Sequence, residues 1–136
     1  MAILREIVIK TEGERFYNIT QQVQTEANAH KSGIMYLFVM HTSCALTISE
    51  AYDDTARTDL EAFLRHLAPE NLRFIEHTAE GPDDSPSHMK SVLLQQSLCL
   101  PVEQGELILG TWQGIYLAEF RKAPHKRRVI VKFLDS

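Results

Sequence analysis

His41, His77 and His88 stand at segment ends that also carry acids, and imidazole beside carboxylate is the pairing that binds divalent cations or moves protons near neutral pH. With Glu50, Asp53, Asp54 and Glu119 as oxygen donors, the chain can furnish a three-ligand site with an open position for Mg or Zn. No His-Glu-x-x-His spacing is present, so the donors do not form a recognised motif. The same histidines can instead give a proton to a phosphate or leaving group. Gly110-Thr111-Trp112-Gln113-Gly114 breaks a strand-rich region with two glycines around the only tryptophan. Either it is a bulged hairpin whose Trp112 fills the core, or its backbone amides meet an anion while Trp112 and Gln113 line a pocket for a planar ring.

These residues lie where elements begin and end, as expected when strands fix the groups that loops present. Leu4 to Lys10 alternates, Glu12-Gly13 is a turn signal and Arg15 to Ile19 resumes an extended pattern, which reads as a β-hairpin. Thr20 is placed as the N-cap of a first helix running to Ser32-Gly33. Ile34 to Met40 is continuously apolar and reads as a central strand buried on both faces, with His41 and Thr42 in the bend or bulge before the alternating segment Ser43 to Ser49. Asp53 or Asp54 caps a helix with Ala56, Leu60, Phe63, Leu64 and Leu67 on one face, ended by Ala68-Pro69. Asn71 to Ser87 has the composition of a long ordered loop. Ser85-Pro86 then starts a short helix over Met89 to Gln96, with His88 in its first turn. Leu98–Val102, Leu107–Leu109, Gly114–Phe120 and Arg128–Phe133 read as four strands.

The 136 residues, 44% of them apolar, suit a single domain, and the pattern is an α+β domain over 1–136. Its sheet is mostly antiparallel or mixed, two to three helices pack on it, and its last third is β-rich. A net charge of −4 argues against nucleic acid as a partner. One basic run, His125-Lys126-Arg127-Arg128, either holds a phosphate or forms a solvated edge at a strand start. No apolar stretch has the roughly 20 residues that cross a bilayer, and Met1 to Arg5 has no signal-peptide zones, so no membrane association and a cytoplasmic location are expected. Cys44 and Cys99 sit in apolar runs and read as free thiols.

The stretch Ser97-Leu-Cys-Leu-Pro-Val-Glu-Gln-Gly105 and the following Glu-Leu-Ile-Leu-Gly110-Thr-Trp-Gln-Gly-Ile115 resemble the signature of the YjbQ family. The resemblance extends through His41-Thr-Ser-Cys-Ala-Leu-Thr-Ile-Ser-Glu50, the His77 loop, Pro86-Ser-His88 and Glu119-Phe-Arg121; Ser49 departs, standing where many members have asparagine. That family is described as secondary thiamine-phosphate synthases. The resemblance implies a small α+β protein forming a homotrimer, with pockets near the subunit boundaries. It also implies a transferase that joins hydroxymethylpyrimidine diphosphate to thiazole phosphate and releases pyrophosphate. By the same resemblance His41, His77, His88 and Glu50 are metal or polar contacts, and His41, His88 and Glu119 carry the chemistry. Arg121 and Arg128 would contact phosphate, Trp112 and Gln113 would shape the ring pocket, and Gly110 would let backbone approach. Two alternatives keep the same pocket: a non-catalytic module holding a metal or phosphorylated metabolite, and a metal-dependent hydrolase.

Overall fold

Strand alternation gives each sheet one apolar face, and here two such faces close on one another. The computed structural model describes residues 3–136. Its elements follow in the order β1 (Ile3–Glu12), β2 (Arg15–Asn18), α1 (Thr20–Ala27), β3 (Gly33–Val39), β4 (Cys44–Glu50), α2 (Asp54–Leu67), α3 (Asp84–Leu93), β5 (Ser97–Glu103), β6 (Glu106–Leu107), β7 (Gln113–Glu119) and β8 (Pro124–Asp135). Five strands pair in the order β1-β8-β3-β5-β6 and three in the order β2-β7-β4, every ladder antiparallel. This is the α+β architecture read from the pattern.

The main core lies between the sheets. Met35, Leu37, Val39 and Val131 of the larger sheet meet Cys44, Leu46, Ile115 and Leu117 of the smaller one, and Val23 and Ala27 of α1 close one side. A second cluster, with Phe16, Ala45, Tyr116 and Ala118, covers the other face of the small sheet against Leu64 of α2. Asp53 caps α2, its Oδ1 accepting from Thr55 N at 2.9 Å. No helix among the described residues is long and apolar enough to cross a membrane.

Several expectations change. β1 and β2 do not form a hairpin: β1 pairs with β8 and β2 with β7, so the chain crosses between sheets at Gly13, whose φ of 126° suits only glycine. Thr20 is the first helical residue rather than the cap, and α1 stops at Ala27; Asn18 Oδ1 accepts from Thr20 N and Oγ1 instead. β3 is central but buried on one face only, leaving Ile34, Tyr36 and Phe38 exposed. The strand sealed on both faces is β7. On α2, Phe63 and Leu67 are also exposed. α3 starts at Asp84, ahead of Ser85-Pro86, which puts His88 past its first turn. Nor is the basic run a solvated edge, because β8 lies between β1 and β3 and buries Arg127.

Candidate functional site

An α-helix brings residues four apart onto one face, and α3 uses this to aim Asp84 and His88 the same way. The loop before α3 returns His77 to the same spot. His77 Nε2 lies 2.7 Å and His88 Nε2 3.1 Å from Asp84 Oδ2. The three ligand atoms all lie within 4.8 Å of one another.

The polar surroundings fix this geometry. Arg121 binds Asp83 Oδ2 through Nε at 3.0 Å, Asp84 Oδ1 through Nη1 at 2.8 Å and the Glu80 carbonyl through Nη2 at 3.0 Å. One guanidinium thus ties the loop to the start of α3. Burial disfavours ionised Asp84, but hydrogen bonds from His77 and the charges of His88 and Arg121 outweigh it, so the pKa is lowered. His88 Nδ1 lies 2.8 Å from the Thr42 carbonyl, which only accepts; the N–H must therefore be on Nδ1. In a neutral ring, Nε2 then turns a lone pair toward a carboxylate oxygen. Two acceptors at 3.1 Å need a cation between them, either a proton on His88 or a metal ion. A divalent ion would satisfy His77, Asp84 and His88 together, with Arg121 and Thr42 as the outer partners such ligands usually have.

His41 lines the same pocket, a space of about 610 Å³ shared with Thr42, His77, His88, Val92 and Gln96. Its Nε2 accepts from the Arg128 N–H at 2.9 Å, which leaves Nδ1 as the protonated nitrogen of the neutral ring. Burial and the nearby Arg127 charge push its pKa below the usual histidine value.

Beneath the site runs a buried ion pair. Arg127 reaches Glu119 through Nε at 2.7 Å and Nη2 at 2.6 Å, and Ser43 Oγ through Nη2 at 2.8 Å. Thr11 Oγ1 and Arg121 N also donate to Glu119. Burial would raise the Glu119 pKa, yet the bonds from Arg127 and Thr11 hold it below the usual carboxylate range. Glu119 is fully buried, and its bonds to Thr11, Arg121 N and Arg127 tie β1, the end of β7 and β8 together beneath the site.

Other predicted residues lie elsewhere. Glu50 ends β4, about 20 Å along the strand from Cys44 at its other end, at roughly 3.3 Å per residue. Its Oε2 accepts from Tyr52 N and Asp53 N at the entry to α2. Nearby, Trp112 is 56% exposed, so it does not fill the core, and its ring packs edge-on against Tyr52 at 4.9 Å. Gln113 Oε1 accepts from Gly110 N at 2.7 Å and closes the turn. At Gly114 the chain itself leaves no room for a side chain, since a Cβ would come within 2.4 Å of the Ala51 side chain. Arg128 pairs on the outer face with Glu6 at 2.6 Å. Thus His41, His77 and His88 come together, while Glu50, Gly110, Trp112 and Gln113 gather at the far end of β4.

The sequence does not single out Asp84, Arg127, Thr11 or Ser43 as site residues, although Arg127 stands within the basic run. The four-residue spacing of Asp84 and His88 is the available signal, hidden when the cap is placed at Ser85, two residues after the actual cap at Asp83. Arg127 was hidden by its basic neighbours.

A family model described as UPF0047 protein YjbQ-like matches residues 5–136. The UPF0047 protein sll1880 of Synechocystis is 42% identical over 127 residues, covering 92% of this chain and 86% of that protein. The UPF0047 protein YjbQ of Salmonella typhimurium is 40% identical, with 93% of each chain covered. The crystal structure of the conserved hypothetical protein TT1486 from Thermus thermophilus superposes with a TM-score of 0.87 at 41% identity, covering 96% of this chain and 99% of that one.

Proposed function

This chain belongs to the UPF0047 YjbQ-like family, and we propose that His77, Asp84 and His88 hold a divalent cation at a pocket that acts on a phosphorylated small molecule. The observation that carries the reading is the convergence of two imidazoles on one carboxylate oxygen, with the His88 tautomer turned by Thr42 so that two acceptors meet. The arginines around the pocket are already committed, Arg121 to Asp83 and Asp84, Arg127 to Glu119 and Arg128 to Glu6. A bound cation would supply the positive charge that a phosphate or departing pyrophosphate needs.

The chain's own residues supply the rest. Arg121 and Thr42 hold the donors in register, Val92 and Gln96 wall the pocket, and His41, neutral with its proton on Nδ1, donates a hydrogen bond to the ligand. The reaction assigned to this inventory, by resemblance to secondary thiamine-phosphate synthases, joins hydroxymethylpyrimidine diphosphate to thiazole phosphate. Bonding of the thiazole nitrogen to the pyrimidine methylene breaks that carbon's bond to the diphosphate oxygen, and pyrophosphate leaves.

A homotrimer accompanies this reading. Ile34, Tyr36, Phe38 and Leu134 make an exposed apolar surface on the larger sheet, of the kind that copies of a chain cover. His41 directly follows Met40 at its rim, which sets the pocket beside the covered face.

Elemental analysis of the purified protein, run beside a synthase assay with both substrates and added magnesium or zinc, tests the reading. Stoichiometric metal and turnover, both lost in His88→Ala, are expected. Metal without turnover would leave a binding module, and absence of both would remove the metal site.

A further inference from the structure

Between the free edges of the two sheets, β1 and β2, lies a cleft of about 340 Å³ that shares no lining residue with the histidine pocket. Lys10 of β1, Arg15 and Asn18 of β2, Gln22 of α1, and Asp54 and Arg57 of α2 line it above a floor that includes Tyr116. Three cations therefore face one carboxylate, on a chain whose net charge is −4. Their partners matter more than their number. Arg57 is anchored by Nη1 to Glu61 at 2.8 Å, and the same Glu61 oxygen accepts from Phe16 N at 2.7 Å. Arg15 stacks over the Tyr17 ring at 5.7 Å and, like Lys10, pairs with no carboxylate among the described residues.

Two unneutralised cations beside an anchored third, in a walled cleft, concentrate positive potential. A guanidinium fork beside an ammonium matches a phosphate in both charge and donor geometry. Asn18 spends its Oδ1 on Thr20, which leaves its amide N–H groups as donors, and the exposed Gln22 amide adds both a donor and an acceptor. The volume admits one small molecule and no polymer.

We propose that this cleft is a second ligand site, separate from the histidine pocket, that binds a small phosphate-bearing polar metabolite. Arg15 and Lys10 take the phosphate, and Asn18 and Gln22 take hydroxyls. A ligand there would touch both sheet edges and link the two sheets.

Calorimetric titration of the full chain at low salt tests this, with ribose 5-phosphate, inorganic phosphate and neutral ribose as probes. Ribose 5-phosphate is expected to bind, inorganic phosphate to compete and ribose to give no heat. The Lys10→Glu/Arg15→Glu protein should bind at least about tenfold more weakly, as expected for losing charge-assisted bonds. Both side chains are exposed, so its melting temperature should hold; should it misfold, Arg15→Gln removes one charge without reversal and should still weaken binding. His88→Ala with chelator present should bind like the parent, whatever becomes of the metal reading. Equal binding of ribose and its phosphate, no binding at all, undiminished binding by the charge variants, or loss in His88→Ala would each overturn the proposal.

Discussion

The two sheets share one core but differ on their other faces. The small sheet is sealed twice: in β7, every residue from Gly114 to Glu119 is buried, by the core on one side and chiefly by α2 on the other. The large sheet is sealed once. In β3, Met35, Leu37 and Val39 are at most 1% exposed, whereas Tyr36 and Phe38 between them are 36% and 38% exposed. A monomer can stabilise itself completely through the first sheet and not the second. Under the homotrimer proposed above, the small sheet serves folding and the outer face of the large sheet serves assembly, with the histidine pocket where the two meet.

The strongest way to break this contrast uses neighbouring arginines of β8. Alternation sends Arg127 inward to Glu119 and Arg128 outward to Glu6. Arg127→Met leaves Glu119 buried without its partner and should cost about 3–5 kcal/mol in urea unfolding. Adding Glu119→Gln should restore much of that loss, because the uncompensated charge is gone. Arg128→Met should leave the unfolding midpoint unchanged. Equal effects of the two single variants would show that the inner face is not the sealed one.

The basic run also shows where sequence stops being legible. Period-two alternation located β1 and β4, strand-forming composition located β7 and β8, and the Asp53 cap with its apolar stripe located α2, because these signals are local. Pairing is not local. Nothing within Glu12 to Arg15 says that the strands on either side of Gly13 belong to different sheets, and the continuous apolar run of β3 carries the same signal whether its second face meets a helix or a second chain. The site divides the same way. His41, His77 and His88 were legible as residue types, whereas Arg127 required the depth of β8 and Asp84 the helix phase.

A second pair of changes separates the two faces. Leu117→Ala, in the sealed strand, should destabilise by about 2–5 kcal/mol, the usual cost of a core truncation. Tyr36→Ser with Phe38→Ser should barely move the unfolding midpoint of the dissociated chain, but should shift the sedimentation coefficient from the assembled toward the monomeric value. Cys99 gives the same contrast without mutation of the face: it lies opposite Tyr36 in the β3–β5 ladder and is exposed, so alkylation should be slow in the assembly and fast in that variant. Cys44, whose pKa burial raises to about 12, should resist in both. Fast labelling of Cys99 in the parent would mean that the outer face is not covered.

The smallest expected effect is acid sensitivity where the two faces join. His41 has a folded pKa below its unfolded value, chiefly through burial, so the native state binds fewer protons there than the unfolded chain. Its contribution is fully present above the unfolded value, near 6.5, and is lost as pH falls through the lowered folded value. Asp84 and Glu119 are also depressed and carry the same sign at lower pH: their contribution is present above the ordinary carboxylate values, roughly 4, and disappears as acid titrates the folded groups. Urea midpoints followed downward from pH 8 should therefore fall in two stages. His41→Asn should remove the upper stage and leave the lower one. An upper stage that survives the substitution would place the neutral, Arg128-bonded imidazole outside the stability balance, and with it the argument that His41 reaches the pocket carrying its proton on Nδ1.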